Sequence, residues 1–190
     1  MSPLVICARR FADARGWFCE TWNDVRLKAA GVTADFCQDN QSYSAQAHTL
    51  RGLHFQALPH AQSKLVRCLR GRIFDVAVDI RRASPTFGQW LGVELSADNA
   101  KQLFVPAGYA HAFLTLESNC EVAYKVDDYY SPECDGGIAW NDPAIGIVWP
   151  LADRHPVLSD KDAGLPLLRD LTIEFEYDGV PLEPLREVSG

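Results

Sequence analysis

From Phe74 to Ile80 apolar side chains recur at every second position. Phe74, Val76, Val78 and Ile80 point one way and Asp75, Ala77 and Asp79 the other, the pattern of a strand with one face in a core and one toward water. The same period returns at Leu91, Val93 and Leu95, at Ala112, Leu114 and Leu116, at Cys120, Val122, Tyr124 and Val126, and at Ile173, Phe175 and Tyr177. Turn-forming residues separate these runs: Gly71, Ser84-Pro85, Pro106-Ala107-Gly108, Ser131-Pro132 and Asp135-Gly136-Gly137. A period of two repeated in many short segments calls for layers of sheet that bury one another's apolar faces, so the chain reads as an all-β sandwich or jelly roll.

One segment breaks the pattern. Asn23 can cap a helix, Val25, Leu27, Ala29 and Ala30 give it an apolar side, and Gly31 stands where a left-handed residue would end it. No repeat, low-complexity run or linker divides the 190 residues, and a chain of this length buries enough surface to need no staple, so residues 1–190 are expected to form one domain. The tail from Arg186 is expected to fray.

Composition narrows the function. A net charge of -7 argues against nucleic acid, whose phosphates require a basic face, but leaves room for a small phosphorylated ligand held by a few cations in a pocket. Cys7, Cys19, Cys37, Cys68, Cys120 and Cys134 include no pair at the two-residue spacing of zinc or redox motifs. Residues Met1 to Arg10 carry no basic-then-apolar export signal, and the charge-free stretch Gln102 to Leu116 is interrupted by Pro106, Gly108 and His111. A cytoplasmic protein with no membrane segment is therefore expected.

The chemistry-bearing groups cluster in LRGLHFQ at Leu50–Gln56, where Arg51 and His54 flank a glycine that lets the backbone approach a neighbour, and at Lys64, at the mouth of a following strand. A lone histidine at a strand end is ordinarily a satisfied structural residue. The larger pattern is more specific. In order along the chain come FADARGWFCE at Phe11–Glu20, QDNQS at Gln38–Ser42, LRGLHFQ, FDVAVDIR at Phe74–Arg81 and SPTFG at Ser84–Gly88. VPAGYAHAF at Val105–Phe113, YKVDDYY at Tyr124–Tyr130, WNDP at Trp140–Pro143 and LSDKD at Leu158–Asp162 follow. This ordered set, from about Phe11 to Pro166, resembles the dTDP-4-dehydrorhamnose 3,5-epimerases.

The resemblance implies a cupin-type jelly roll (a double-stranded β-helix with one or a few short helices), a homodimer, and no metal or organic cofactor. The implied reaction inverts C3 and C5 of dTDP-4-keto-6-deoxy-D-glucose, giving dTDP-4-keto-L-rhamnose. The C4 ketone acidifies both neighbouring carbons, so a base, an acid on the opposite face and a cation near the developing oxyanion are required. By the same resemblance His54 is the base, Asp162 orients it, Tyr124 is the acid and Lys64 faces the ketone. Arg15, Glu20, Gln38, Asn40, Arg51, His111, Tyr130, Asp135 and Lys161 fall on positions that hold nucleotide and sugar, Tyr130 stacking on thymine. Without the resemblance Tyr124 reads as core beside Cys120, Val122 and Val126, Asp162 as a turn cap, Tyr129-Tyr130 as a surface aromatic pair, and Glu20 and Asn40 as strand-end polar residues.

Three positions depart from the family pattern. Asp135 stands where Glu is common, so that contact is expected to be lost or bridged by water; Ala112 and Ser63 each replace a glycine. No family role covers Leu171 to Gly190, where the alternation at Ile173, Phe175 and Tyr177 suggests an added strand. Other readings share the residues: an epimerase acting at C3 or C5 alone, a ketoisomerase, or a non-catalytic sugar-nucleotide binder. A metal-dependent cupin would need two histidines one residue apart, and His48, His54, His60, His111 and His155 supply no such pair.

Overall fold

The computed structural model describes residues 1–172 and 174–189. In chain order its strands are β1 (Leu4–Cys7), β2 (Arg10–Asp13), β3 (Gly16–Cys19), β4 (Gln38–Ser44), β5 (Leu50–Gln56), β6 (Lys64–Arg70) and β7 (Arg72–Asp79). They continue with β8 (Trp90–Ser96), β9 (Lys101–Val105), β10 (Tyr109–Thr115), β11 (Cys120–Val126), β12 (Asp135–Gly137) and β13 (Arg186–Ser189). Six strands form one sheet in the order β13-β1-β9-β6-β11-β4, and five form another in the order β12-β5-β10-β7-β8. β2 and β3 make a separate hairpin. From β4 to β12 the chain passes back and forth between the two sheets, staying in one sheet only from β7 to β8. That alternation is the weave of a jelly roll, in agreement with the expected fold class.

Three apolar layers hold the sheets. Val5, Val66, Ile73, Leu95, Leu103 and Val122 fill one end of the space between them. The outer face of the five-stranded sheet, with Leu53, Val76, Val78 and Ala112, is covered by Ile138, Ile145, Leu168 and Phe175. On the outer face of the six-stranded sheet Ile6, Leu65 and Phe104 pack against Leu27 and Val32. Leu27 belongs to helix α1 (Asp24–Ala29), capped as expected: the Asn23 side chain accepts from the Arg26 N–H at 3.1 Å, and Gly31 has φ +97°. Val25, counted on its apolar side, is instead 77% exposed.

Several expectations need correction. β7 is covered on both faces, not one: Asp75 and Asp79 are fully buried. Both have polar partners, Asp79 in Arg81, Ser84 and Thr86 and Asp75 in His111, whose Nε2 lies 2.6 Å from Oδ1, while Asp75 Oδ2 has no partner among the described residues. An alternation of Val with Asp reads as half-exposed because the sequence does not reveal that His111 from another strand meets Asp75, or that Arg81, Ser84 and Thr86 turn back onto Asp79. The tail does not fray. The apolar run Leu4 to Cys7, which by itself reads as a strand in need of a partner edge, has both edges filled: β13 pairs in parallel with β1, and β1 pairs on its other side with β9. In the suggested added strand, Ile173 lies outside the described residues; Phe175 forms only an isolated bridge with Arg81, and Tyr177 belongs to no strand.

Phe175 docks the C-terminal segment by packing edge-on to Phe55 at 5.8 Å between ring centroids, within the layer over the five-stranded sheet. Replacing it with Ala removes that plug and is expected to cost about 3 kcal/mol, the usual size for a buried Phe truncation. Urea unfolding measures the loss; an unchanged midpoint would mean that the segment does not rest on this contact.

Candidate active site

At the end of the inter-sheet space away from the apolar core, the side chains change character. His54 on β5 and His111 on β10 stand opposite each other in register within the five-stranded sheet. Tyr124 on β11 and Lys64 on β6 belong to the other sheet. Together they line a cleft of two adjoining lobes, each about 220 Å³, which share His54, Lys64, Tyr124 and Lys161. One lobe adds Arg51, His111 and Asp162, and the other Gln38, Asn40, Gln56, Tyr130 and Asp135.

His54 is held from behind. Its Nε2 lies 2.5 Å from Asp162 Oδ1, and the Asp162 side chain is only 5% exposed. Asp162 sits in the one-turn helix α2 (Asp160–Ala163), which Ser159 caps by accepting the Asp162 N–H at 3.1 Å. The turn cap is thus Ser159, and the Asp162 carboxylate is left for the imidazole. Burial alone would raise its pKa, but the bond to and charge of His54, with help from Ser159 and the Gly52 backbone, outweigh that and hold the carboxyl below its ordinary range.

The glycine of LRGLHFQ earns its place by proximity. Gly52 has φ +114°, and a Cβ there would meet the His111 carbonyl oxygen at 2.5 Å and Ala112 Cβ at 2.8 Å, so β5 and β10 touch backbone to backbone beside the two histidines. Ala112 fits with no exposure, in the layer outside the sheet. Ser63 is likewise used, its Oγ accepting from Ala107 N–H at 3.2 Å and its N–H donating to Asp127 at 2.6 Å.

Lys64 begins β6, as its position at the mouth of a strand suggested. Burial pushes its ammonium down to about 8, against the pull of Asp135 and Asp75. Burial also raises the pKa of the Tyr124 phenol, opposed by Arg51, so it stays protonated at neutral pH. Tyr124 does share the face of Cys120, Val122 and Val126 and packs on the core, but it stands where that face opens into the cleft.

The binding positions divide into two groups. Gln38, Asn40, Arg51, His111, Tyr130, Asp135 and Lys161 line the cleft. Arg51 is fixed by Ser44 Oγ at 3.2 Å and the Tyr43 carbonyl at 3.0 Å, and Gln38 donates to Asn40 at 2.8 Å. Asp135 accepts from Lys161 Nζ and, at 3.2 Å, from the Tyr130 hydroxyl. Arg15 and Glu20 line neither lobe. Arg15 is 90% exposed in the β2–β3 hairpin, paired with Asp13, and Glu20 lines a groove of about 550 Å³ on the outer face of the six-stranded sheet with Trp22, Arg67 and Lys125. Sequence reasoning missed Asp75, the buried partner of His111, and Gln56; each lay inside a quoted motif without a role. Among the described residues no three His, Cys, Asp or Glu side chains converge as a metal site requires.

Comparison with known proteins gives the family. A profile of the dTDP-4-dehydrorhamnose 3,5-epimerase family matches residues 2–170. The chain is 50% identical over 173 residues to the dTDP-4-dehydrorhamnose 3,5-epimerase of Sinorhizobium fredii, covering 91% of this chain and 88% of that one. It is 53% identical to the crystal structure of the Bacillus anthracis dTDP-4-dehydrorhamnose 3,5-epimerase with TDP and PPi bound, with a TM-score of 0.84 over 87% of this chain and 93% of the other. A dTDP-6-deoxy-D-glucose-3,5-epimerase from Legionella pneumophila, in complex with dTDP-4-keto-L-rhamnose, is 44% identical with a TM-score of 0.87, covering 92% and 93%. With its jelly-roll weave and this degree of likeness over nearly its whole length, the chain belongs to the dTDP-4-dehydrorhamnose 3,5-epimerase family.

Proposed function

We propose that this chain inverts C3 and C5 of dTDP-4-keto-6-deoxy-D-glucose to give dTDP-4-keto-L-rhamnose, with His54 as base and Tyr124 as acid. The observation that carries the reading is the placement of these two groups on opposite sheets facing one cleft, the histidine backed by Asp162 at 2.5 Å. A sugar ring between the sheets presents one face to each. His54 takes the proton from the carbon beside the C4 ketone, and the electron pair moves onto the ketone oxygen. Lys64 meets the negative charge that develops there, in a site where burial makes a fixed cation more effective than in water. Tyr124 returns a proton to the opposite face; His54 then releases its proton to solvent and Tyr124 regains one, so that the same sequence serves the second carbon. Asp162 fixes the imidazole's orientation and favours its charged form after proton transfer. Arg51 and Lys161 offer guanidinium and ammonium donors to a diphosphate, and Tyr130 an aromatic face to thymine.

The active unit is one domain that works as a homodimer in the cytoplasm. All six cysteines are free, which suits a reducing compartment. No helix among the described residues is long and apolar enough to cross a membrane. The dimer rests on the β2–β3 hairpin, which holds out Trp17 and Phe18 at 59% and 68% exposure, and on the outer groove lined by Trp22, Leu65 and Leu69. Two copies can exchange these surfaces about a twofold axis, an exchange that would account for Arg15 and Glu20, which lie outside their own chain's cleft. Light scattering at micromolar concentration is expected to give the dimer mass, and Trp17→Ser with Phe18→Ser a monomer with weakened nucleotide binding; a monomeric parent would remove the dimer.

Catalysis should depend on pH through Lys64. Its ammonium is charged below about 8 and lost above it, while the Tyr124 phenol, raised by burial, keeps its proton. kcat/KM is therefore expected to fall as pH rises through about 8. Lys64→Arg, whose guanidinium stays charged, should lose that alkaline limb in whatever activity remains. A parent profile still flat a full unit beyond that value would take the cation out of the mechanism.

The two proton-transfer roles separate in deuterated buffer. His54→Asn is expected to abolish both deuterium exchange at C3 and C5 and product formation, since no enolate forms. Tyr124→Phe should still exchange from the His54 face while inversion drops, each loss reaching roughly 10²- to 10⁴-fold. One proton NMR time course reads both, and deuterium at one carbon only would mark a mono-epimerase. Inversion by Tyr124→Phe at the parental rate would sink the assignment of the acid.

A further inference from the structure

Beside the catalytic pair, Gln56 ends β5 with its side chain turned away from solvent; the residue is 4% exposed. All of its amide is committed to backbone. Nε2 donates to the His60 carbonyl at 2.7 Å and to the Tyr129 carbonyl at 3.1 Å, and Oε1 accepts the Ser131 N–H at 2.8 Å. Two of these partners belong to the peptide groups on either side of Tyr130. Holding both peptide planes fixes the backbone torsions between them, and with them the direction in which the Tyr130 side chain leaves the chain. The third partner ties the loop of residues 57–63 to the loop of residues 127–134.

The same two loops are joined by the Gln62 amide donating to the Asp128 carbonyl at 2.7 Å, by Ser63 N–H to Asp127 at 2.6 Å, and by Ala57 N–H to the Cys134 carbonyl at 2.7 Å. His60 Nδ1 lies 3.2 Å from Asp128 Oδ2. These bonds lie along the loop edges; among the described residues only Gln56 grips both sides of Tyr130. Tyr130 itself is 58% exposed, so little packing holds its ring. Its own contacts are its hydroxyl on Asp135 and a long 3.4 Å bond from its N–H to Gln38.

We propose that Gln56 is a positioning residue for recognition of the base: it sets Tyr130 in place over the cleft, and so governs affinity for the nucleoside end of the substrate while leaving proton transfer alone. The proposal rests on the reading of Tyr130 as the stacking platform. A buried amide that served stability alone would weaken every ligand together or none. One that aims Tyr130 weakens only ligands that carry a base.

The test compares the parent, Gln56→Leu, Tyr130→Ala and the double variant by calorimetric titration with TDP and with inorganic pyrophosphate, alongside steady-state kinetics. Each single variant is expected to weaken TDP about tenfold, the scale of one base–aromatic stack, with pyrophosphate affinity unchanged, KM raised and kcat retained. The double variant should be no worse than Tyr130→Ala, because the two residues act as one unit. Gln56→Asn keeps a buried amide one methylene short of the loops; it should show the same pattern if Leu prevents folding. Parental TDP affinity in the Gln56 variants beside a loss in Tyr130→Ala would overturn the role of Gln56 alone, as would equal losses for TDP and pyrophosphate or additive effects in the double variant. Parental TDP affinity in Tyr130→Ala would instead overturn the stacking reading and the Gln56 proposal with it.

Discussion

The active centre depends on one close contact between backbones. At Gly52 strand β5 comes so near β10 that a single added carbon would lie 2.5 Å from the His111 carbonyl oxygen. That approach sets His54 and His111 side by side on the inner face of the five-stranded sheet, and it brings the Gly52 backbone within hydrogen-bonding reach of Asp162. Three groups from distant parts of the chain are thereby referred to one rigid point. A side chain at this position would both strain the positive φ and push the strands apart, moving His54 and Asp162 together.

The rest of the site follows from how two sheets share one interior. At one end aliphatic side chains close the gap and supply the cohesion. At the other the inner faces carry His54, His111, Lys64 and Tyr124, and the gap stays open. Polar groups at that end pay a desolvation cost, visible in the depressed ammonium of Lys64 and the raised phenol of Tyr124. Both shifts suit the proposed reaction, since a poorly solvated cation responds strongly to an oxyanion and a phenol that holds its proton is a donor throughout the neutral range.

Around this rigid centre the recognition groups sit on less regular ground. Tyr130 and Asp135 come from the segment between β11 and β12 and its edge, Lys161 from a one-turn helix, and Arg15 from an exposed hairpin. Their placement relies on side-chain clasps such as Gln56 to the Tyr129 and Ser131 peptides and Lys161 to Asp135. Under the proposed function specificity is separable from chemistry in this architecture: loops vary in what they hold while the sheets keep His54 and Tyr124 opposed.

The sequence alone determined what depends on local pattern and on ordered motifs. Period-two runs marked the strands, Asn23 and Gly31 bounded the helix through cap chemistry that acts within one turn, and the succession of motifs carried the family and with it the names of the cleft residues. It did not reveal that β7 is covered on both faces, because His111 meets Asp75 only on folding and the Arg81 that pairs with Asp79 is itself held by Tyr109 and Asp178. Nor did it show that the tail would lie along β1, a parallel pairing of strands from the two ends of the chain with no local signal. Gln56 was visible as a letter in a motif, but its role exists only where two loops converge on one amide. Arg15 and Glu20, expected from the resemblance to bind the substrate, stand outside their own chain's cleft. Residue types and their periods are written along the chain; distances between them are set only when the two sheets close on each other, and it is distance that decides which groups act together.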